Sequence, residues 1–127
     1  MSSNHFNRSA GRSFDSLRSF EIIHDPMEFA LSSLIIRTGK TAVICSISLQ
    51  ESVPAWRMGE GKGWLSAEYR LLPASTPTRQ RREVLKLSGR TQEIQRLIGR
   101  SLRSVIAFEK LGEKTLLIDC DVIQADA

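Results

Sequence analysis

Apolar and polar positions change their period twice along this chain. From Thr41 to Leu49 they alternate: Val43, Cys45, Ile47 and Leu49 fall on one face, Ser46 and Ser48 on the other. Alternation of this kind marks a half-buried strand. The run before it, 29–37, is also apolar, and Thr38-Gly39-Lys40 separates the two. Two such runs around a glycine turn predict a β-hairpin. A short run at 20–24, broken by Pro26, predicts a first strand. Residues 51–63 hold Pro54, Gly59, Gly61 and Gly63 and read as a loop. Residues 64–71 are aromatic and apolar enough for another strand, and 73–86 form a basic loop that starts with Pro73 and Pro77.

The period then lengthens. Ile94, Leu97, Ile98, Leu102, Val105 and Ile106 recur at helical spacing. The spacing predicts a helix over 92–108, capped by Thr91, with Glu93 in its first turn and a stop near Gly112. Alternation returns over 115–123, where Leu116, Ile118, Cys120 and Val122 oppose Asp119 and Asp121. Several strands, a helix and a strand predict an α+β domain, with the helix packed on a mixed or antiparallel sheet.

Length and composition narrow the class. The 127 residues are one domain's length, and no apolar run approaches the ~20 residues of a membrane span. Residues 1–17 are rich in Ser, Asn and Arg and lack the apolar stretch of a secretory signal. They read as a flexible arm of a cytoplasmic protein, before a domain over 18–127. Cys45 and Cys120 sit in apolar segments and read as small buried core residues in a reducing compartment, with a disulfide or metal site the much rarer alternative. His5 and His24 are far from both and show no metal-ligand spacing.

Charge is concentrated. Net charge is +4, yet residues 70–103 hold nine basic residues (Arg70, Arg79, Arg81, Arg82, Lys86, Arg90, Arg96, Arg100 and Arg103) against Glu83 and Glu93. The rest of the chain is therefore acidic, and the basic field is local and almost wholly arginine. Arginine's planar fork matches phosphate oxygens, and a concentrated arginine field is the usual footprint of a nucleic-acid partner. A solvated basic face explains the charge alone equally well.

Two nucleotide motifs fail. Gly39-Lys40-Thr41 resembles the end of a P-loop, but Leu34 stands where the motif needs glycine, and a strand follows in place of a helix. Gly59, Gly61 and Gly63 precede a strand and read as a flexible turn. Asp119 and Asp121 share one strand face, where a solvated surface is a commoner explanation than a metal or acid–base pair. The strongest feature is Ser88-Gly89-Arg90-Thr91. Arg90 stands at a helix entrance, where unpaired backbone N–H groups, the helix dipole and a guanidinium can converge on one anion. Arg96, Arg100 and Arg103 lie roughly along one face of the helix, and Arg79, Arg81 and Arg82 lie in the loop before it.

The segment 88–100, SGRTQEIQRLIGR, strongly resembles the signature helix of the ribonuclease PH family. The similarity extends through Gly59-Glu60-Gly61-Lys62-Gly63-Trp64, Ala67-Glu68-Tyr69, Leu72-Pro73, Thr78-Arg79, Arg82-Glu83 and the segment 119–126, covering nearly all of the chain from about Gly11. The resemblance implies a ribosomal protein S5 domain 2-like β-α fold. It also implies a phosphate-dependent 3′-exoribonuclease that trims the 3′ ends of tRNA precursors and releases nucleoside diphosphates. Inorganic phosphate is then a co-substrate, a divalent metal such as Mg is expected, and subunits form a hexameric ring. Arg90 matches the family's phosphate-binding arginine, and Arg79 and Arg82 match loop arginines associated with RNA binding and subunit contact.

Departures accompany the match. Ala74 stands where the family usually has arginine, Pro77 where histidine is common, and the loop between Glu83 and Arg90 is shorter. After Gln124-Ala125-Asp126 the family continues into a Gly-Thr-Arg-Thr loop that completes the phosphate site. Its catalytic and metal-serving acids lie farther along, and are therefore expected beyond Ala127. The resemblance thus implies the N-terminal half of the domain, with no catalytic residue and no metal ligand in this sequence, inactive or nearly so alone. A non-catalytic RNA-binding or ring-assembly fragment is the alternative. A third is a remnant whose uncovered apolar surface favours self-association.

Overall fold

The computed structural model describes residues 20–125. The arm expected at 1–17 lies outside them, and so does Ala127, the position past which the resemblance puts the catalytic acids. Five strands form one sheet: β1 (Phe20–His24), β2 (Ser32–Thr38), β3 (Thr41–Gln50), β4 (Trp64–Leu71) and β5 (Thr115–Gln124). Their spatial order is β1-β2-β3-β5-β4. Neighbours are antiparallel except β4 and β5, which run parallel at one edge. A parallel pair needs a long crossover. Residues 72–114 supply it and carry two helices, α1 (Gly89–Arg103) and α2 (Phe108–Leu111).

The expected hairpin is present. Thr38 and Thr41 close it, with Gly39 at φ 63°, the backbone that a two-residue turn demands at its first position. β2 begins at Ser32, three residues later than the apolar run predicts, because the preceding segment is held in a turn. Asp25 lies at φ 55°, the Met27 N–H donates to the Ser33 hydroxyl, and Phe29 is 98% exposed.

The single helix expected over 92–108 is two helices. α1 starts three residues earlier, and its cap is Ser88: the Ser88 Oγ accepts from the Thr91 N–H at 3.2 Å. Thr91 is a buried residue of the first turn, and Glu93 lies past that turn, which holds no acid. α1 ends at Arg103. There the Val105 N–H turns to Leu102 and the Ile106 N–H to Arg103, tightening the chain before α2.

Two side chains dock α1 on the sheet edge. β4 is an edge strand, and half of its peptide groups face away from β5. The Tyr69 N–H, one of these, donates to Gln95 Oε1 at 3.0 Å, and the Leu65 carbonyl accepts from Arg103 Nε at 2.9 Å. The helix thus caps polar groups that an open edge would expose. Gly99 of α1 is buried, with the Arg103 guanidinium 2.9 Å from where a Cβ would stand. Leu65, Ala67, Ile118 and Cys120 form the core, with Val43, Cys45, Ile47, Ile98 and Leu102 packed around them. Val43, Cys45 and Ile47 of the face expected for β3 and the apolar face expected for β5 pack there, while Leu49 of that β3 face is 39% exposed and Ser46 on the opposite face is buried.

At the C-terminal end of α1, Trp64 stacks edge-on against Trp56 at 4.7 Å, and Phe108 lies 5.8 Å from Trp64. The Arg103 guanidinium covers Trp64 at 4.5 Å. The loop before β4 is fixed by Glu113, whose carboxylate accepts from the N–H groups of Gly59 and Gly61. α1 covers only the β4–β5 side of its face. Beyond it a groove of about 560 Å³ runs over Leu34, Ile36, Cys45 and Ile47, and Leu97 on the helix is 58% exposed.

Candidate phosphate and nucleic-acid site

α1 runs antiparallel to β4, so its N-terminus stands at the carboxyl ends of the parallel pair. The loop after β4 returns to that end: the Leu72 N–H bonds the Val122 carbonyl, and the Ala125 N–H bonds the Ser75 carbonyl. A helix start beside the carboxyl ends of parallel strands is where open α/β sheets hold ligands.

The helix start is rigid. Glu83 accepts from the Ser88 N–H at 2.7 Å with one oxygen and from the Thr91 hydroxyl at 2.9 Å with the other. The Ser88 hydroxyl donates to Thr91 Oγ1, and Gln92 Nε2 reaches back to the Leu87 carbonyl. These bonds use the Ser88 and Thr91 N–H groups and leave those of Gly89 and Arg90 without a partner among the described residues. The bonds to Ser88 and Thr91 hold the Glu83 carboxyl below its ordinary range.

Arg90 is exposed, and among the described residues no carboxylate lies within ion-pair distance of it. Its charge acts on Tyr69: burial raises the phenol, and Arg90 opposes that shift. Arg90 and the open N–H groups of Gly89 and Arg90 therefore form one electropositive corner, whose charge reaches the half-buried Tyr69.

The other arginines divide. Arg79, Arg81, Arg82, Arg96 and Arg100 are exposed and likewise lack a carboxylate partner among the described residues. Arg70 and Arg103 are committed to the fold. Arg70 donates to the Tyr69 carbonyl and to Gln95, and Arg103 packs on Trp64, so the helix stripe of three arginines is a stripe of two. Arg82 is felt by Asp121, which points to the sheet face opposite Tyr69.

Asp119 and Asp121 share a face, as their spacing implies, beside Glu68 and Arg70. Burial and then Asp119 raise the Asp121 carboxyl, while Arg70 and Arg82 lower it. The guanidinium among these acids supplies the countercharge that a cation would bring. Among the described residues no three His, Cys, Asp or Glu side chains are placed to hold a metal ion, and no helix is long and apolar enough to cross a membrane.

Sequence reasoning missed Glu83, Gln95 and Tyr69. An acid five residues before a Ser-x-x-Thr cap is a legible signal for Glu83. Nothing in the spacing points to the reach of Gln95 to the edge strand.

Residues 16–127 match the model of the 3′ exoribonuclease family, domain 1. Curated relatives named ribonuclease PH are 72% identical over 120 residues in Parasynechococcus marenigrum and 68% over 127 in a Synechococcus species. These alignments cover 94% and 100% of this chain but 48% and 51% of the relatives, so the chain spans about half their length. An Archaeoglobus fulgidus exosome with RNA bound to its active site superposes with a TM-score of 0.78 at 24% identity, over 94% of this chain and 49% of that one. Rice Rrp46 superposes at 0.75 and 17%, over 94% and 53%. At those identities the structures speak for the fold alone: the α+β, ribosomal protein S5 domain 2-like arrangement, in its N-terminal half. The chain belongs to the 3′ exoribonuclease family, whose first domain it carries.

Proposed function

We propose that this chain forms the phosphate-gripping half of a phosphorolytic 3′-exoribonuclease. One observation carries the reading: among the described residues, an exposed arginine without a carboxylate partner, Arg90, stands beside two unpartnered N–H groups at the start of a fifteen-residue helix. The helix dipole favours an anion there, and the guanidinium offers two parallel donors to a tetrahedral oxyanion. In phosphorolysis an oxygen of inorganic phosphate attacks the phosphorus of the terminal phosphodiester. The bond to the 3′ oxygen of the preceding nucleotide breaks, and a nucleoside diphosphate leaves. Attacker and target are both anions, so charge neutralisation and alignment are the main help a protein can give. Arg90 would orient the phosphate and offset its charge. Arg79 and Arg82 would hold the incoming RNA backbone, or a neighbouring subunit in a ring.

The cap carboxylate Glu83 sits close by, so the anion must approach on the Gly89–Arg90 side. The residues present do not fit a catalytic Mg ion, since Arg70 occupies the only acidic cluster near the strand ends among the described residues. No step here is assigned to a metal. The acids of the reaction would belong to the half of the relatives that follows the position of Ala127. Precursor tRNA 3′ ends are the proposed substrate of the complete enzyme, and the cell interior its place of action.

Phosphate-dependent release of nucleoside diphosphates from a tRNA with a 3′ extension tests the reading. The chain alone is expected to bind phosphate and RNA with little or no turnover. Failure to bind either would overturn it. A purely RNA-binding or ring-assembly role has one observation in its favour, the exposed Arg96 and Arg100 away from the helix start, unpaired among the described residues. It predicts RNA binding that ignores inorganic phosphate.

A further inference from the structure

Cys45 and Cys120 face each other directly across the two central antiparallel strands, β3 and β5. Their pairing mode follows from the neighbouring bonds. Trp64 donates to Lys114 and Leu72 to Val122, so the even-numbered residues of β5, Cys120 among them, turn their N–H and C=O groups toward β4. On its other side Cys120 therefore meets Cys45 as a non-hydrogen-bonded pair. The hairpin gives the same answer from the β3 side. Its closing pair, Thr38 and Thr41, is hydrogen-bonded in a two-residue turn. Counting in twos then directs the peptide groups of Cys45 to Leu34 on β2. Non-hydrogen-bonded partners approach to about 4.5 Å between Cα atoms, with the side chains closest. A disulfide spans about 4.4–6.8 Å between Cα atoms.

We propose that Cys45 and Cys120 are a reversible thiol–disulfide pair, oxidised in place by a peroxide and reduced by a dithiol. Both thiols are free, and both line the groove beside α1, so an oxidant the size of hydrogen peroxide can reach them. The groove there is walled by Leu34, Ile47, Leu97 and Leu102, and none of the described residues that line it is charged. Cys45, half-buried where Cys120 is buried, is the more accessible and the attacking sulfur. The neighbouring Cys120 thiol lowers the Cys45 thiol, against burial and Asp121, which raise it. Cys120 is held well above a thiol's ordinary range by Cys45, by burial and by Asp119 and Asp121. A thiolate is the nucleophile in such chemistry.

The Cys45 thiolate attacks one peroxide oxygen, the O–O bond breaks, and Cys45 becomes a sulfenic acid as hydroxide leaves. The Cys120 sulfur then attacks the Cys45 sulfur; the S–S bond forms, the S–OH bond breaks, and the Cys120 proton leaves with the hydroxyl group as water. The product ties β3 to β5 and closes one covalent loop around β4, the basic loop and α1.

The test is to treat the 127-residue chain with hydrogen peroxide and follow thiol titre, intact mass and a peptide map. The expected result is a monomer that loses both thiols and two hydrogen atoms, with Cys45 and Cys120 in one linked peptide, restored by dithiothreitol. Retained thiols, a gain of oxygen without that linkage, or linkage only between chains would overturn the proposal. In the Cys120→Ser variant the reaction stops at a Cys45 sulfenic acid that dimedone captures. Absence of that adduct, with Cys45 unmodified, contradicts the assigned order of attack.

Discussion

The Glu83 carboxylate accepts a 2.7 Å hydrogen bond from the Ser88 backbone N–H, and so fastens the basic loop to the start of α1. Its second oxygen takes the Thr91 hydroxyl, so one acid orders both the cap residue and the first helical turn. The result is a helix start that is fixed before any anion arrives.

Acid should loosen this start. The folded-state carboxyl of Glu83 lies below its ordinary value of 4.5, so its contribution is present above that value and is lost as pH falls through the lowered one. Thermal melts followed by far-UV circular dichroism should show wild type losing stability over that fall, and Glu83→Gln losing less. Identical acid profiles would show that these bonds add nothing to stability.

Gln95 should matter for stability more than an average helix residue. Gln95→Ala leaves the Tyr69 N–H and part of Arg70 without an acceptor, at a cost of about 1–3 kcal/mol. Urea unfolding of the variant measures it directly. Glu93→Ala, past the first turn and exposed, serves as the near-neutral control.

Gly63→Ala should also destabilise. A Cβ there would stand 2.5 Å from Leu111 Cδ2 and 2.8 Å from the Gly112 carbonyl oxygen, a backbone atom that cannot swing away. Overpacking of this kind costs about 1–3 kcal/mol. Unchanged urea midpoints would mean that α2 moves freely against the β4 entrance.

Much of the fold was legible in the alternation of Val43, Cys45 and Ile47 and of Leu116, Ile118 and Cys120. Strand periodicity survives because the apolar side chains of each strand share the face that packs under α1, although Ser46 on the other face of β3 is buried too. The break between α1 and α2 was not legible, since Val105 and Ile106 continue the helical spacing of Leu102 past the end of α1 at Arg103. Periodicity reports which residues face inward, and it does not report whether the backbone between them stays helical. Ser88 and Thr91 both suit a cap by residue type. The choice between them rests on Glu83, which draws the Thr91 hydroxyl into the first turn. At the site, Arg90 was visible because a basic residue beside a Gly at a helix start is a local signal. Tyr69 was not, because only the crossover brings β4 back against that helix start.

RNA binding should be salt-sensitive and carried by the unpaired arginines. Each phosphate that is no longer neutralised lowers the slope of log affinity against log salt by about 0.7 for single strands. Arg79→Ala with Arg82→Ala should therefore flatten the slope by about 0.7–1.4, measured by fluorescence anisotropy with a short single-stranded RNA. An unchanged slope removes both residues from the RNA path.

The phosphate grip at the start of α1 is tested by titrating inorganic phosphate into the isotope-labelled chain and following the amide signals of Gly89 and Arg90 by NMR. Saturable shifts are expected at these two amides, weakened about tenfold or more in affinity by Arg90→Ala. Amides that stay still, or that shift equally in the variant, would contradict a phosphate site built on Arg90.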